Sequence, residues 1–178
     1  MNTIPLTMTP TIRRCVLHWG EMAGRWGISR SVAQIHAVLF LSPDPLIADD
    51  IAGLLGIARS NVSVSLKELQ TWDLVSITHV LGDRRDYFQA RKDIWDVLTT
   101  IMDQRKRREI DPTLQLLRDC AADAKRDQET PEQIKERLAT MLEFLEEMTG
   151  WYDQIRSMPR PTLLKLMRMG TRVAKAVS

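Results

Sequence analysis

Residues 46–90, LIADDIAGLLGIARSNVSVSLKELQTWDLVSITHVLGDRRDYFQA, decide the fold. Ile51, Leu54 and Leu55 make one apolar face of a short helix that Gly56 stops. Val62, Leu66 and Leu69 recur at helical spacing and make the apolar face of a second helix. The few residues between the two, Gly56 and Ile57 among them, leave room only for a sharply angled helix pair. Val75-Ser76-Ile77-Thr78-His79-Val80 then alternates apolar and polar residues rich in β-branched types, which predicts a strand. Leu81-Gly82-Asp83 is a turn, and Asp86-Tyr87-Phe88-Gln89-Ala90 predicts the returning strand. A helix pair followed by a hairpin is a winged helix-turn-helix.

Outward from this unit the chain reads as helical on both sides. Residues 1–10 are polar with two prolines, which predicts a frayed beginning. A helix is expected from Thr11, with Cys15, Trp19, Met22 and Trp26 on one stripe. Gly20 and Gly24 would admit a close neighbour there, and Gly27 would end the helix. Ser29 is placed to cap a helix carrying Val32, Ile35, Leu39 and Phe40 as far as Leu41, before Pro43 and Pro45. Beyond the hairpin, Asp93 is placed to cap a helix with Ile94, Val97, Leu98 and Ile101 on one side and Arg105-Lys106-Arg107-Arg108 in its last turns. Asp111-Pro112 predicts a fresh N-cap, and so a break or kink. Leu114, Leu117, Cys120, Ala121 and Ala124 keep a helical period up to a polar linker near Asp127. Thr130-Pro131-Glu132-Gln133 predicts a capping box for a helix striped by Ile134, Leu138, Met141, Leu142, Leu145 and Met148. Met158-Pro159-Arg160-Pro161 separates a last helix bearing Leu163, Leu164, Met167 and Val173.

The expected fold class is mainly α: a winged helix-turn-helix with a small β-hairpin wing plus long N- and C-terminal dimerisation helices. Its expected divisions are an N-terminal dimerisation helix over 1–28, a winged DNA-binding domain over 29–92 and a C-terminal helical dimerisation region over 93–178.

At 178 residues, 44% apolar and 27% charged, the chain can hold one sizeable core, or a small domain with helical extensions. A net charge of +2 neither requires nor excludes a polyanionic partner, but its distribution is uneven. No acidic residue follows Gln154, whereas Arg156, Arg160, Lys165, Arg168, Arg172 and Lys175 do, and residues 119–147 lean acidic. Such a basic end can extend a DNA footprint, meet lipid, or pair with the acidic segment of a second copy; the last is the most economical. Cys15 and Cys120 make neither a disulfide framework nor a metal motif, and Cys15 reads as a buried residue. His18, His36 and His79 have no partners at ligand spacing, so no metal is expected. No phosphate loop, nucleophile elbow or zinc-hydrolase motif occurs, so neither a cofactor nor an enzyme is expected. The absence of a signal-peptide core, and of an apolar run near the roughly 18 residues of a membrane span, makes cytoplasmic the expectation.

A helix that enters the DNA major groove buries one side and offers polar donors on the other. With Val62, Leu66 and Leu69 inward, Arg59, Ser60, Ser63 and Lys67 lie on the free side, and Asn61 near its N-terminal edge. Arginine bonds guanine in bidentate fashion, and asparagine does so with adenine. Serine and lysine more often hold phosphates. Any surface helix has a solvated polar face, so the balance is tipped toward double-stranded DNA by the hairpin tip, which carries Arg84 and Arg85. Asp83 beside them is placed to hold one guanidinium while the other enters a narrow minor groove. The rival from another class is a protein-interaction adaptor, since winged helices also serve without touching nucleic acid. Arg59 and Lys67 together with Arg84 and Arg85 favour DNA. Arg105-Lys106-Arg107-Arg108 reads equally as a phosphate contact or a solvated helix end.

Leu41-Ser42-Pro43, Ile51-Ala52, Gly56-Ile57, Arg59-Ser60-Asn61-Val62-Ser63, Ser65-Leu66-Lys67-Glu68-Leu69, Trp72 and Gly82-Asp83-Arg84-Arg85-Asp86-Tyr87-Phe88 resemble the GbsR branch of the MarR-type transcriptional regulators. Trp26-Gly27 and Ala33-Gln34-Ile35 fit that branch as well, and the resemblance covers nearly the whole chain. It implies a homodimer on palindromic operator DNA, often a repressor, sometimes with a small-molecule effector. The family's recognition helix falls on residues 59–72, and its wing arginines on Arg84 and Arg85. Two positions depart from the pattern: Ala58 and Ile47 stand where relatives often place a capping Ser and Thr. A lost cap costs about 1 kcal/mol, with Ser60 or Asn61 as partial substitutes. Some relatives recognise choline or glycine betaine, and aromatic faces hold quaternary ammonium ions well. That makes Trp19, Trp26, Trp151, Tyr152 and Phe144 candidates for a choline-like effector pocket. The plainer reading of Trp19 and Trp26, seven residues apart, is a helix–helix seam, and the spacing favours it. Trp72 and Trp95 read as packing residues at the edges of the winged unit.

Overall fold

The computed structural model describes residues 6–169, in two compact units that meet between Gln104 and Arg105. Val173, Arg172 and Lys175 of the expected last helix, and residues 1–5 of the segment expected to fray, lie outside the described residues.

In the first unit α1 spans Pro10–Arg25, opened by Thr9, whose hydroxyl accepts the Ile12 N–H at 3.3 Å, with Pro10 in the first helical position. Its fully buried face is Val16, Gly20 and Ala23, and of the expected stripe Trp19 and Met22 are half-buried, Trp19 against the core. Cys15 and Trp26 are exposed, which corrects the expectation of a buried thiol. The seam follows the small residues because α2 comes close there: a Cβ on Gly20 would stand 2.7 Å from Gln34 Cγ. Gly24, by contrast, has open space around it.

The second helix, α2 (Arg30–Leu41), is the central one and buries Val32, Ile35, Val38 and Leu39. Ser29 precedes it without making a side-chain cap. At the other end its C-terminal carbonyls are met by the Lys92 ammonium, which donates to Leu39 O at 2.7 Å, to Phe40 O at 3.1 Å and to Ser42 O.

Helices α3 (Ala48–Leu55) and α4 (Arg59–Thr71) form the angled pair. Gly56 closes α3 at φ 66°, a left-handed position that costs glycine nothing. Ala58 opens α4 with no side-chain cap, and the Asn61 amide, a suggested substitute, donates to Ser31 Oγ at 3.2 Å instead.

Three antiparallel strands lie in the order β1-β3-β2: β1 (Leu46–Ile47), β2 (Val75–Thr78) and β3 (Tyr87–Ala90). The hairpin pairs Val75 with Ala90 and Thr78 with Tyr87, so β2 stops two residues before the expected Val80. β1 pairs Leu46 with Phe88 and was not foreseen, because two residues are too few for an alternation to be seen. The turn from α4 into β2 passes through Asp73 at φ 57°, and Arg91 ties it by bonding both the carboxylate and the carbonyl of Asp73. Ile35, Leu39, Ile51, Val62, Leu66, Leu69, Trp72, Phe88 and Val97 are buried in one cluster. The last helix of this unit, α5 (Ile94–Arg105), is capped as expected: Asp93 Oδ1 accepts the Trp95 N–H at 2.8 Å.

The second unit opens on a π-helical turn, Lys106–Ile110, that runs into α6 (Asp111–Arg126). Asp111 keeps right-handed helical dihedrals and donates its N–H to Lys106 O, so the expected N-cap and break are replaced by this wider turn. A π turn absorbs the missing N–H of Pro112 without ending the helix. The longest helix, α7 (Glu132–Ser157), runs antiparallel to α6, with Lys106 Nζ 3.6 Å from Asp153 and Arg118 Nε 2.8 Å from Glu146. The expected capping box at its start does not form: Thr130 Oγ1 donates to Asp127 Oδ2, whose carboxylate also accepts the Glu129 N–H. Leu138, Leu142 and Leu145 are half-buried, whereas Ile134, Met141, Phe144, Met148 and Trp151 are exposed. The final described helix is α8 (Arg160–Met169). No helix among the described residues is long and apolar enough to cross a membrane.

Candidate nucleic-acid interface

The α4 helix has one free side because Val62, Ser65, Leu66 and Leu69 take the other into the core. Between that free side and the β2–β3 wing lies an open cleft of about 520 Å³. Arg59, Ser63 and Lys67 line it from α4, and Arg84 and Arg85 from the wing. Its floor is apolar, with Leu66, Ile77 and Phe88. The fold therefore gathers four cations, far apart in sequence, along one concave surface.

The side chains differ in how they are held. Arg59 Nε stands 2.7 Å from Asp49 Oδ1, on the first turn of α3. Ser63 donates its hydroxyl to Arg59 O at 3.1 Å, so its lone pairs are what remains for a ligand. Ser60 and Lys67 are exposed. Asn61 is not among the residues lining the cleft: besides Ser31, its amide oxygen accepts from Ser65 Oγ at 3.4 Å. Both ends of the amide are thus engaged, joining α4 to α2 and to its own next turn.

On the wing the two arginines part. Arg85 is clamped by Asp83, which accepts from its Nε at 3.0 Å and from its backbone N–H at 3.0 Å. Tyr87 completes the clamp, donating to Asp83 Oδ2 at 2.8 Å while its ring lies 5.7 Å from the Arg85 guanidinium carbon. Hydrogen bonds from the Arg85 side chain, its backbone N–H and the Tyr87 hydroxyl hold the Asp83 carboxyl well below its usual range. Arg84 is exposed and has no hydrogen-bond or ion-pair partner among the described residues. His79, also on the wing, is exposed with Nδ1 3.8 Å from Asp86.

Three residues of this surface were not singled out from the sequence: Asp49, Gln70 and Val64. The first two line the cleft, and Val64 is 67% exposed on α4. Val64 had a signal, since an apolar residue four after Ser60 falls on the polar face. Asp49 had none, because only the α3–α4 crossing brings it to Arg59.

Of the aromatic candidates, Trp19 and Trp26 line a cavity of about 320 Å³ in the first unit, together with Trp72, Leu74, Leu98 and Ile101. Its walls carry no charged side chain. His36 forms part of the wall and is 3% exposed, and burial, aided by the charge of Lys92, pushes its pKa down to about 4. Its Nε2 is buried without a hydrogen-bond partner, and its ring lies between Trp19 and Phe40. Trp151, Phe144 and Tyr152 belong to α7 in the second unit, with Trp151 and Phe144 exposed and Tyr152 half-buried. In that unit Arg105 pairs with Glu109 at 3.2 Å and Lys106 with Asp111 at 2.9 Å, so both of these basic residues are engaged by neighbours.

No model of a known protein family matches the chain, and no curated protein matches it. Among solved structures, a protein described as a transcriptional regulator is 20% identical, over 82% of this chain and 99% of its own, with a TM-score of 0.53. The transcriptional regulator Tm0710 from Thermotoga maritima is 18% identical over 84% of this chain and 94% of its own, with a TM-score of 0.39. MepR, a transcription regulator of the Staphylococcus aureus multidrug efflux pump MepA, is 20% identical over 76% and 93%, with a TM-score of 0.38. At such identities the first likeness is one of fold: a mainly helical winged helix-turn-helix with a small antiparallel sheet.

Proposed function

We propose that this chain is a DNA-binding transcriptional regulator of MarR type, in its GbsR branch, working in the cytoplasm as a homodimer on operator DNA. The observation that carries the reading is the cleft between α4 and the wing, where Arg59, Lys67, Arg84 and Arg85 converge. A phosphate chain that follows this concave surface meets Lys67 and Arg84, which no carboxylate among the described residues holds, and releases its counterions. Helix α4 then lies in the major groove, offering Arg59, Ser60 and Ser63 to base edges and Lys67 to phosphate. Arg84 extends into the flanking minor groove, and Arg85, already neutralised by Asp83, keeps the wing tip in shape. Two-fold symmetry spaces the half-sites about 10 base pairs apart. Repression by occupying the operator is the mode that needs no further surface.

The effector, in this reading, enters the cavity lined by Trp19, Trp26 and Trp72. With no carboxylate in those walls, the indole faces are the counterpart a choline-like cation would have.

Selection of binding sites from random duplex DNA by the full chain tests the regulator reading. An enriched inverted repeat supports it, and choline or glycine betaine added to that complex then tests release. Failure to bind any duplex at low salt refutes it in favour of a protein-interaction adaptor.

A further inference from the structure

Arg59 is the first residue of α4, so its cation stands at the positive end of the helix. Nothing on α4 offsets that concentration of charge: Ala58 supplies no capping oxygen, and the first turn holds no acidic residue. The opposite charge comes from another element. Asp49, in the first turn of α3, places Oδ1 2.7 Å from Arg59 Nε, and the two side chains remain 60% and 65% exposed within the cleft.

A helix N-terminus that carries a free arginine is a ready site for phosphate, and phosphate contacts carry no sequence information. A carboxylate bound at Nε opposes a phosphate at that spot. It also restrains a long side chain whose fork has further donors for a base. We infer that Asp49 is a specificity-determining positioning residue, which commits Arg59 to reading a base edge instead of gripping the backbone. The inference rests on the DNA-binding function proposed above.

The test measures dissociation constants for the wild type, Asp49→Asn, Arg59→Ala and the double variant. Each is titrated with the selected operator and with a random duplex of equal length, over a range of salt. Asp49→Asn is expected to tighten binding to the random duplex and steepen its salt slope by about 0.9, the signature of one added phosphate contact. Its preference for the operator should fall about tenfold, within the range of one arginine–guanine pair. Asp49→Glu should restore the preference, and Asp49→Asn should leave it unchanged once Arg59 is alanine. An ion pair that served only to fasten α3 to α4 would weaken both duplexes in the same proportion, which overturns the inference. A loss of preference that persists without Arg59 also overturns it, because Asp49 would then act on phosphate directly. A wild type with no sequence preference would instead overturn the proposed function, and this inference with it.

Discussion

Arg84 and Arg85 are neighbours of the same type, yet their surroundings give them different tasks. Arg85 is bound by Asp83 and Tyr87, while Arg84 is exposed and has no hydrogen-bond or ion-pair partner among the described residues. Arg84→Ala should therefore weaken operator binding and flatten its salt dependence by about 0.9 in slope, for one lost contact. An unchanged affinity and slope would remove the wing from the mechanism. His36 makes a second residue-scale prediction, through stability. The unfolded chain takes up a proton here as pH falls through 6.5, whereas the folded chain resists until about 4. Stability is thus full above 6.5 and declines as pH falls toward 4, by up to about 3 kcal/mol for this group. Urea titrations across that window should show the decline, and His36→Phe should flatten it; an equal slope in both proteins would contradict the assignment. The composition of the basic surface was legible from α4's apolar spacing and the wing's paired arginines. Asp83 holds one of the two, as its place beside them predicts; that the one is Arg85, and that Tyr87 joins the clamp, depends on where β3 starts, which a string of residues leaves open.

The elements show where local signals suffice and where packing overrules them. Gly56 and Asp93 act as their types predict, one ending α3 and the other capping α5. Ser29 and Thr130 are also capping types, yet neither caps the helix that follows, and the Thr130 hydroxyl goes to Asp127. The seam of α1 was legible in part: Gly20 lets α2 approach as its size predicts and Trp19 and Met22 are half-buried, whereas Gly24 stands in open space and Cys15 and Trp26 are exposed. Helix α4 begins with an extended residue that has no side-chain oxygen. Ala58→Ser should supply the acceptor and raise stability by about 1 kcal/mol. A denaturation midpoint no higher than that of the parent would mean that the orphaned N–H groups are already satisfied.

At the scale of the whole molecule, the exposed stripe of Ile134, Met141, Phe144, Met148 and Trp151 on α7 marks a surface that a lone chain leaves in water. In the proposed dimer a second copy covers it. Phe144→Glu combined with Trp151→Glu should halve the particle mass in sedimentation. It should also lower operator affinity, because two half-sites would no longer be joined. An undiminished mass would take α7 out of the interface.

The sequence by itself determined the winged helix-turn-helix, because helix and strand periods and a stop such as Gly56 are properties of neighbours along the chain. It also determined the basic character of α4 and the wing, since inward-facing Val62, Leu66 and Leu69 dictate what faces out. Only the tertiary structure decided the β1 edge of the sheet, that Gly20 and not Gly24 receives α2, and the meeting of Asp49 with Arg59. Each of these is a choice of partner, set by which elements pack together and at what angle, and short-range periodicity carries no record of that choice.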